Sequence, residues 1–334
     1  MYTQEELLNK VNAYLEQLRY NTQPDGLYAP IKYALSLGGK RIRPVLMLMS
    51  YNIYKEHVDD ILSHAVALET YHNFTLLHDD VMDRAEMRRG KPCVHKVWND
   101  NTAILSGDAM LILAYRLMTE ARFSDEVAAE IPSEHLTKAL VTFTQATLGV
   151  CEGQQYDIEF ESREDVSEAD YMEMIRLKTS LLLACALKIG AQLAGAPDGE
   201  CDLLYDFGEK MGLAFQLQDD LLDVYGETSV FGKKIGGDIL CNKKTFMLIN
   251  ALNLASKDDQ DALHKWIHKT DVVPEEKIEA VKAIYDKIQI RQLCEAKIET
   301  LFQAALDSLE KVNVEPAKKA PLVEFAHRLM KRNY

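Results

Sequence analysis

The chain has 334 residues, 47% of them hydrophobic, and a formal net charge of −14. This acidic balance argues against a nucleic-acid partner, because proteins bind phosphate backbones through clustered cationic excess. The length favours two domains, but the nine prolines and sixteen glycines form no linker, so we expect a single domain over residues 1–334.

The N-terminus predicts a helix rather than a targeting segment. Thr3 followed by Glu6 forms a capping-box pattern, and apolar residues then recur on one helical face. Acidic residues stand where a signal peptide has its basic region. The longest apolar run, residues 181–187, is too short to cross a bilayer. We therefore expect a cytoplasmic protein without an integral membrane segment.

Helical periodicity continues along the chain, and strand-like alternation is essentially absent. Residues on one helical face recur at intervals of three and four from Ile61 up to Asp79. Further helical stretches follow at residues 102–118, 136–155, 171–193 and 203–224. Loops are predicted around residues 162–165, 196–200 and 228–237, and Pro274 and Pro316 open or interrupt later helices. An all-α fold is therefore predicted.

The six cysteines lack metal-ligand spacing and are expected to be reduced and buried.

An acidic motif occurs twice, as DDVMD at residues 79–83 and DDLLD at residues 219–223. The first and last aspartates of each copy lie one helical turn apart and share a face, whereas the middle aspartate points partly aside. One copy alone would more readily be a solvated acidic face. Two copies in apolar flanks favour Mg²⁺ sites, since Mg²⁺ is held by one or two carboxylates together with substrate phosphates. The candidate metal ligands are Asp79, Asp80, Asp83, Asp219, Asp220 and Asp223.

Four cationic or polar sets accompany the acidic motifs: GGKRIRP at 38–44, RRG at 88–90, Lys178-Thr179, and a Gly-rich basic segment at 232–245. Taken alone, GGKRIRP could be a solvated turn. Lys178, however, lies in an apolar helix and should face an anion or a carboxylate. The Gly-rich segment lacks the spacing of a nucleotide-binding P-loop. Metal sites, cations and apolar helices together favour a substrate with a diphosphate group and an apolar remainder, such as an isoprenoid diphosphate.

The ordered motifs resemble those of trans-isoprenyl diphosphate synthases of the polyprenyl synthetase family. The resemblance covers nearly the whole chain, through GGKRIRP, HNFTLLHDDVMDRAEMRRG, EGQQYD, LKTS, FQLQDDLLD and FGKKIGGDILCNKKT. It implies a large antiparallel helical bundle around a central cavity, usually a homodimer, with the acidic motifs facing each other across the cavity mouth. It also implies condensation of isopentenyl diphosphate with an allylic diphosphate, with three Mg²⁺ ions per active site.

The same resemblance assigns roles to individual residues. The residues that would hold the allylic diphosphate are Arg88, Lys178, Thr179, Gln216, Lys233 and Lys243. Those that would hold isopentenyl diphosphate are Lys40, Arg43, His72 and Arg89. The residues that would act in catalysis, by holding the departing pyrophosphate and its metals, are Asp79, Asp83, Arg88, Lys178, Asp219 and Lys233. Asn242 stands where many bacterial members have glycine, but asparagine tolerates the same left-handed backbone.

Phe74 and Thr75 predict the length of the product. Phe74 lies five residues before Asp79, about 7.5 Å along a helix, where a bulky residue forms the floor that stops elongation in this family. Phe74 followed by Thr75 resembles synthases that make the C20 product, geranylgeranyl diphosphate. Farnesyl diphosphate (C15) and longer chains are the alternatives, although the two-residue spacer of the first motif weakens assignment as an ordinary bacterial farnesyl synthase.

Two other kinds of protein are less consistent with these motifs. Terpene cyclases share the first acidic motif, but they lack the GGKxxRP segment and usually replace the second motif. Non-catalytic synthase subunits lose the acidic motifs, and both are intact in this sequence. The sequence therefore favours a catalytic synthase over either alternative.

Overall fold

The computed structural model of the protein describes residues 1–18, 23–119, 131–226, 235–269 and 271–331. Nearly all of the described structure is helical, and its only strands, Met87–Arg88 and Lys91–Pro92, pair antiparallel. The predicted all-α fold is confirmed.

The chain divides into two compact units, each made of separate stretches. Unit 1 comprises Met1–Phe143, Cys185–Asp202 and Val314–Leu322. Unit 2 comprises Thr144–Ala184, Leu203–Asn313 and Val323–Tyr334. Neither unit is one continuous segment, and the single domain over residues 1–334 stays a prediction.

The first seven helical elements belong to unit 1. They are α1 (Gln4–Gln17), α2 (Asp25–Ser36), α3 (Ile42–Tyr54), a 3₁₀ turn (Val58–Ile61), α4 (Leu62–Met82), α5 (Val94–Val97) and α6 (Asp100–Thr119). The predicted capping box begins α1, where the Thr3 hydroxyl accepts from the Glu6 backbone and the Glu6 carboxylate accepts from the Thr3 backbone. Helix α4, which carries the first acidic motif, packs along α6, and Leu77 and Met110 belong to one buried cluster there.

The remaining helices begin with α7 (Ser133–Ser162) and α8 (Glu168–Ile175), which a π-helical turn (Arg176–Ser180) joins to α9 (Leu181–Ala194). Then follow α10 (Asp198–Tyr225), α11 (Gly237–Leu240), α12 (Phe246–Leu254), α13 (Lys257–His268), α14 (Pro274–Lys287), α15 (Ile290–Glu310) and α16 (Pro316–Met330). Pro274 and Pro316 are the first residues of their helices, where the missing N–H costs no hydrogen bond. A helix lies at each predicted stretch, except that residues 171–193 are divided between α8, the π-helical turn and α9. The predicted loop at 196–200 is shorter than expected, because α10 begins at Asp198. Most of the predicted loop at 228–237 lies outside the described residues.

The core of unit 2 surrounds the helix that carries the second acidic motif. Leu217 and Leu221 of α10 are fully buried, and they share one apolar cluster with Phe246 of α12 and Tyr285 of α14. Helices α13, α14 and α15 contribute Leu263, Tyr285 and Cys294 to this cluster and therefore cover the core. This packing fixes the face of α10 that Asp219 and Asp223 present.

One helical stretch, Glu168–Ala194, is long and apolar enough to cross a membrane by length and composition alone. Its most apolar window is 83% buried inside the protein, as a core helix of a globular protein also is, so it is weak evidence for a membrane span.

The expectation for the cysteines needs correction. All six are free, but Cys151 and Cys241 are exposed, because they lie on the outer face of α7 and in the turn after α11.

Candidate active site

A tight hairpin after the first acidic motif positions two arginines. Arg89 and Gly90 connect its strands with φ values of 54° and 77°, as a two-residue turn with positive φ at both positions requires. The Arg88 guanidinium donates to Asp80 Oδ1, from Nη2 at 2.5 Å and from Nε at 3.0 Å. Arg89 donates to the carbonyl of Gly38, so the hairpin brings the RRG and GGKRIRP segments together.

The glycine pair of GGKRIRP makes room for Arg89. Gly38 and Gly39 both have positive φ, and a Cβ built at Gly39 would stand 2.7 Å from Cζ of Arg89. A side chain at Gly39 would therefore displace the guanidinium. Lys40 follows at an exposed position.

Glu69 lies inside a cluster of three arginines of unit 1, Arg41, Arg43 and Arg89, called the arginine cluster below. Its side chain is 2% exposed and accepts from Arg41 Nη1 at 2.7 Å and from the Asn73 amide at 2.8 Å. Arg41 has a left-handed backbone conformation just before α3, and its Nη2 donates to the carbonyl of Leu35 at 2.6 Å. The backbone therefore turns Arg41 inward, towards Glu69.

Arg43 and His72 lie in the same cluster. Burial lowers the pKa of Arg43 to about 10, although Glu69 opposes the shift. Burial and the neighbouring Arg43 and Arg89 hold the pKa of His72 well below its ordinary value, so its imidazole is neutral. Within the described ranges, the buried Nε atoms of Arg41 and Arg43 have no hydrogen-bond partner. Unused donors in an excess of positive charge suit a polyanionic ligand.

The three aspartates of the first motif have different surroundings. Asp80 is buried and is held by Arg88. Asp79 is half-buried, and Asp83 is exposed at the end of α4, where its N–H donates to the Asp79 carbonyl at 2.8 Å. The middle aspartate, predicted to point partly aside from the shared face, thus contacts Arg88, whereas the outer two are more open to solvent.

The second motif repeats this arrangement in unit 2. Asp220 is buried, and its carboxylate accepts from the Tyr171 hydroxyl and, at 3.0 Å, from the Gln216 amide. The Gln216 carbonyl in turn accepts from the Thr179 hydroxyl at 3.0 Å. Burial, reinforced by Asp238, raises the pKa of Asp220. Gln216 and Thr179, both predicted site residues, are therefore joined to the acidic motif by hydrogen bonds.

The third aspartate of this motif holds the Gly-rich segment at residues 236–238. Asp223 Oδ2 accepts from the Asp238 N–H at 2.9 Å, and the Asp223 carbonyl accepts from the Gly236 N–H at 2.6 Å. The Asp238 carbonyl accepts from the Lys243 N–H at 2.9 Å. Asp223 therefore fixes the backbone that carries Lys243. Lys233, the other lysine predicted in this segment, lies outside the described residues.

Lys178 pairs with a carboxylate, as its apolar surroundings predict. Its Nζ lies 2.5 Å from Asp157 Oδ2, and both side chains are partly buried. Burial raises the pKa of Asp157, but Lys243 and Lys178 outweigh that effect and hold it below its ordinary value. Asp157 thus lies among the cations of the LKTS and NKKT motifs.

Phe74 contacts aromatic rings one helical turn before it and one turn after it on α4. Its ring centroid lies 5.3 Å from Tyr71 and 4.8 Å from His78. Tyr71 also contacts Phe143 of α7 at 5.7 Å. Thr75 donates from its hydroxyl to the His72 carbonyl at 2.9 Å. Phe74 is therefore held in place by rings on either side.

A family model described as polyprenyl synthetase matches residues 24–288. The chain belongs to the polyprenyl synthetase family. It is therefore a prenyltransferase, as its motifs predict.

Relatives within the polyprenyl synthetase family differ in the product that their names give. A geranylgeranyl diphosphate synthase from Methanosarcina mazei is 37% identical over 249 residues, covering 75% of this chain and 74% of its own length. A geranylfarnesyl diphosphate synthase from Natronomonas pharaonis is 35% identical, covering 77% and 79%. A crystal structure of a geranylgeranyl pyrophosphate synthase is 42% identical, covers 100% of both chains and has a TM-score of 0.92.

One solved polyprenyl synthase, from Caulobacter crescentus, is complexed with calcium and isoprenyl diphosphate. It is 27% identical, covers 98% of this chain and 96% of its own, and has a TM-score of 0.81. Among the residues described for the present chain, no three His, Cys, Asp or Glu side chains form a complete metal site. The outer aspartates fit Mg²⁺ nevertheless, because Mg²⁺ takes few protein carboxylates and completes its shell with water and substrate phosphates.

Sequence reasoning missed four residues that contact or neighbour predicted site residues of this polyprenyl synthetase, two in each unit. They are Arg41, Glu69, Asp157 and Tyr171. Arg41 lies in GGKRIRP and Asp157 in EGQQYD, so their place in these motifs could have identified them. Glu69 and Tyr171 have no such signal, because each is one polar residue in an apolar helix and its partner lies far along the chain.

Proposed function

We propose that the protein is a geranylgeranyl diphosphate synthase, which extends allylic diphosphates with isopentenyl diphosphate by trans 1′-4 condensation to the C20 product. The observation that carries the chain length is Phe74, whose ring lies five residues before Asp79 and is packed between Tyr71 and His78. A ring that its neighbours hold in place is suited to stop a growing apolar chain. The relatives and the solved structure named as C20 synthases support the same product.

The two diphosphates are assigned to different residues. Isopentenyl diphosphate is assigned to Lys40, Arg43, His72 and Arg89, and the unused donors of the arginine cluster support that role. The allylic diphosphate is assigned to Arg88, Lys178, Thr179, Gln216, Lys233 and Lys243. The bonds of Arg88 to Asp80 and of Lys178 to Asp157 support it, since paired cations stay charged and keep a fixed position.

Three Mg²⁺ ions per active site complete the proposed machinery. Asp79, Asp83, Asp219 and Asp223 are the proposed ligands. Asp80 and Asp220 are better suited to orienting partners, because both are buried and accept hydrogen bonds from protein donors. When bound, Mg²⁺ neutralises charge that develops on the diphosphate oxygens.

The reaction then follows from charge and apolar burial. Arg88 and Lys178 stabilise the pyrophosphate as the allylic C–O bond breaks and a carbocation forms. The double bond of isopentenyl diphosphate, held by the arginine cluster, attacks that cation and forms the new C–C bond. The released pyrophosphate takes the proton that restores a double bond, so no general-base histidine is needed. The neutral state of His72 agrees with a binding role.

Four alternatives are distinguished by two features. Synthases of other product lengths differ in the residue that ends chain elongation, and other kinds of protein differ in the motifs that they need. A farnesyl diphosphate synthase would stop one unit earlier, and a longer-chain synthase, such as the geranylfarnesyl relative, would continue past Phe74. A terpene cyclase or a non-catalytic subunit would not need the arginine cluster together with two complete acidic motifs. Product length therefore separates the first two alternatives, and condensation itself separates the others.

We also propose a cytoplasmic homodimer. Exposed aliphatic side chains at Leu105 and Ile112 lie two turns apart on α6, and Val141 and Leu148 have the same spacing on α7. Monomers rarely expose apolar side chains in such repeated patterns, and an identical copy of the chain could cover them.

The experiment that tests the function measures condensation and chain length. Purified protein with Mg²⁺ and labelled isopentenyl diphosphate is given dimethylallyl, geranyl or farnesyl diphosphate, and the dephosphorylated products are separated by length. A dominant C20 alcohol is expected. A C15 alcohol would keep the reaction and overturn the product, and no condensation with any starter would overturn the proposed function.

A further inference from the structure

The LKTS motif lies in a wide helical turn rather than in a regular α-helix. Residues Arg176–Ser180 form a π-helical turn, in which the Leu181 N–H donates to the carbonyl of Arg176, five residues earlier. Such turns carry one more residue than an α-helical turn and are frequent at functional sites. Lys178 and Thr179 both lie within this turn.

Two glycines of neighbouring helices contact the backbone of this turn. A Cβ built at Gly153 of α7 would overlap the backbone nitrogen of Lys178 and would stand 2.9 Å from the carbonyl carbon of Leu177. A Cβ built at Gly212 of α10 would stand 2.7 Å from Cα of Ser180. Main-chain atoms cannot move aside as a side-chain end can, so any larger residue would displace the turn.

The contacts of the turn show why its position matters. Lys178 reaches Asp157 at 2.5 Å, and Thr179 reaches Gln216 at 3.0 Å. Gln216 donates in turn to Asp220 of the second acidic motif. A displacement of the turn by a fraction of an ångström would strain both contacts at once.

We propose that Gly153 and Gly212 are positioning residues for the allylic diphosphate. By lacking a Cβ, they let α7 and α10 enclose the π-helical turn and hold Lys178 and Thr179 in the geometry that binds the diphosphate. This inference rests on the proposed function, because that function assigns Lys178 and Thr179 to the allylic substrate.

Gly149 supplies a matched control. It lies one turn before Gly153 on α7, but a Cβ there would meet the Cδ2 methyl group of Leu181, the far end of a flexible side chain. Gly149→Ala, Gly153→Ala and Gly212→Ala therefore change the same atom at three positions. Only the last two press on the backbone of the turn.

The test measures KM for each substrate, kcat, and affinity for farnesyl diphosphate by calorimetry. Misplaced binding groups commonly cost up to about a hundredfold in rate. We expect Gly153→Ala and Gly212→Ala to raise the KM and Kd of the allylic diphosphate at least about tenfold, a change of one decade in affinity. The KM of isopentenyl diphosphate should stay within about twofold of the parent value. Gly149→Ala should resemble the parent in all of these.

A second variant covers the possibility that an added methyl group impairs folding. Ser180→Gly removes two of the three Ser180 atoms that lie near the Cβ built at Gly212, so Gly212→Ala with Ser180→Gly should regain part of the allylic affinity. Three results would overturn the inference. One is a variant that loses only thermal stability, and another is an equal rise in KM for both substrates. The third is the same allylic KM and Kd in Gly149→Ala and Gly153→Ala.

The result also separates this inference from the proposed function. A parent protein that fails to condense the substrates would overturn the function, and the calorimetric comparison of the glycine variants would still test the positioning role. A parent that condenses them, with a Gly153→Ala variant that binds farnesyl diphosphate equally well, would overturn only the positioning role.

Discussion

The carboxylate of Glu69 is the internal counter-charge of the arginine cluster. Its contact with Arg41 is almost fully buried, at 3% and 2% side-chain exposure. Removing one partner of a buried ion pair costs roughly 3 to 5 kcal/mol, because the other charge is left uncompensated. Glu69→Gln keeps an oxygen acceptor but removes the charge, so we expect a loss of about 3 kcal/mol in unfolding free energy, measured by urea denaturation.

A bound anion should compensate for this substitution. Isopentenyl diphosphate should stabilise Glu69→Gln more than it stabilises the parent, since the arginines of the cluster then lack the charge of Glu69. Glu200→Gln is the matched control, because Glu200 accepts from the Tyr54 hydroxyl at 2.6 Å and should cost about 1 kcal/mol. Equal stability of Glu69→Gln and the parent would contradict this account of the cluster.

Phe74 carries the prediction about product length. Its ring is packed against Tyr71 and His78, so Phe74→Ala should open space along α4 and shift the main product from C20 to C25 or longer. Tyr33→Ala is the control, because it removes another partly buried ring of unit 1, which contacts Trp98 at 5.5 Å. Chromatography of the dephosphorylated alcohols measures the change, and an unchanged length in Phe74→Ala would disprove the floor.

Sequence reasoning reached the motif residues but not all of their partners. Lys178 in an apolar helix requires an anion or a carboxylate, and that requirement is met by Asp157. The identity of the partner could not be derived, because Asp157 lies a helix away and nothing in local spacing joins the two. Glu69 is hidden for the same reason, since its partner Arg41 is 28 residues distant.

At the scale of elements, the turn after α11 depends on Asn242 for more than its backbone. Asn242 has φ +54°, and its amide donates to the carbonyl of Ile267 at 3.0 Å. Its carbonyl accepts from the buried Lys277 Nζ at 2.6 Å. The sequence predicted the left-handed backbone of this residue, but not its role in tying α11 to α13 and α14.

Two substitutions separate these contributions. Asn242→Gly keeps the backbone conformation and loses the side-chain bonds, at a cost of about 1 to 3 kcal/mol. Asn242→Ala loses the same bonds and adds about 1 kcal/mol of left-handed strain. Urea denaturation should therefore rank the parent above Asn242→Gly and Asn242→Ala last. Equal stability of the two variants would show that the backbone carries no strain.

Periodicity predicted whole helices better than their irregularities. The stretch from residue 171 to 193 was expected to be one helix, and it is interrupted by the π-helical turn at Arg176–Ser180. The additional residue shifts the apolar pattern by one position, but residues 181–187, which follow the turn, are all apolar, so no polar face is present there to show the shift. The same limit explains why Gly153 and Gly212 gave no signal, since their role depends on the backbone of another helix.

For the whole molecule, acid should weaken the fold through buried histidines. Burial lowers the pKa of His64 from 6.5 to about 4, and His72 shifts in the same direction. The unfolded chain therefore binds more protons at these histidines between the two values. Their contribution to the free energy of unfolding is fully present above pH 6.5 and is lost as the pH drops towards 4. His64 alone contributes up to about 3 kcal/mol.

His64→Leu tests that share. It should reduce the loss of unfolding free energy between pH 6.5 and pH 4 by up to about 3 kcal/mol, because leucine fills a buried position without taking up a proton. Urea denaturation across this pH range gives the slope. A variant with the same slope as the parent would show that His64 is protonated as easily in the folded state as in the unfolded chain.

Assembly is the last property of the whole molecule that the surface predicts. Ile112 is 67% exposed on α6, on the same face as Leu105, and a second copy of the chain is the proposed cover. Ile112→Glu would place a charge in that interface, where it would be desolvated without a partner, so light scattering should give the 37.9 kDa monomer. Leu254→Glu, at a residue 59% exposed on α12, should stay dimeric like the parent. A monomeric parent, or dissociation caused only by Leu254→Glu, would remove α6 from the interface.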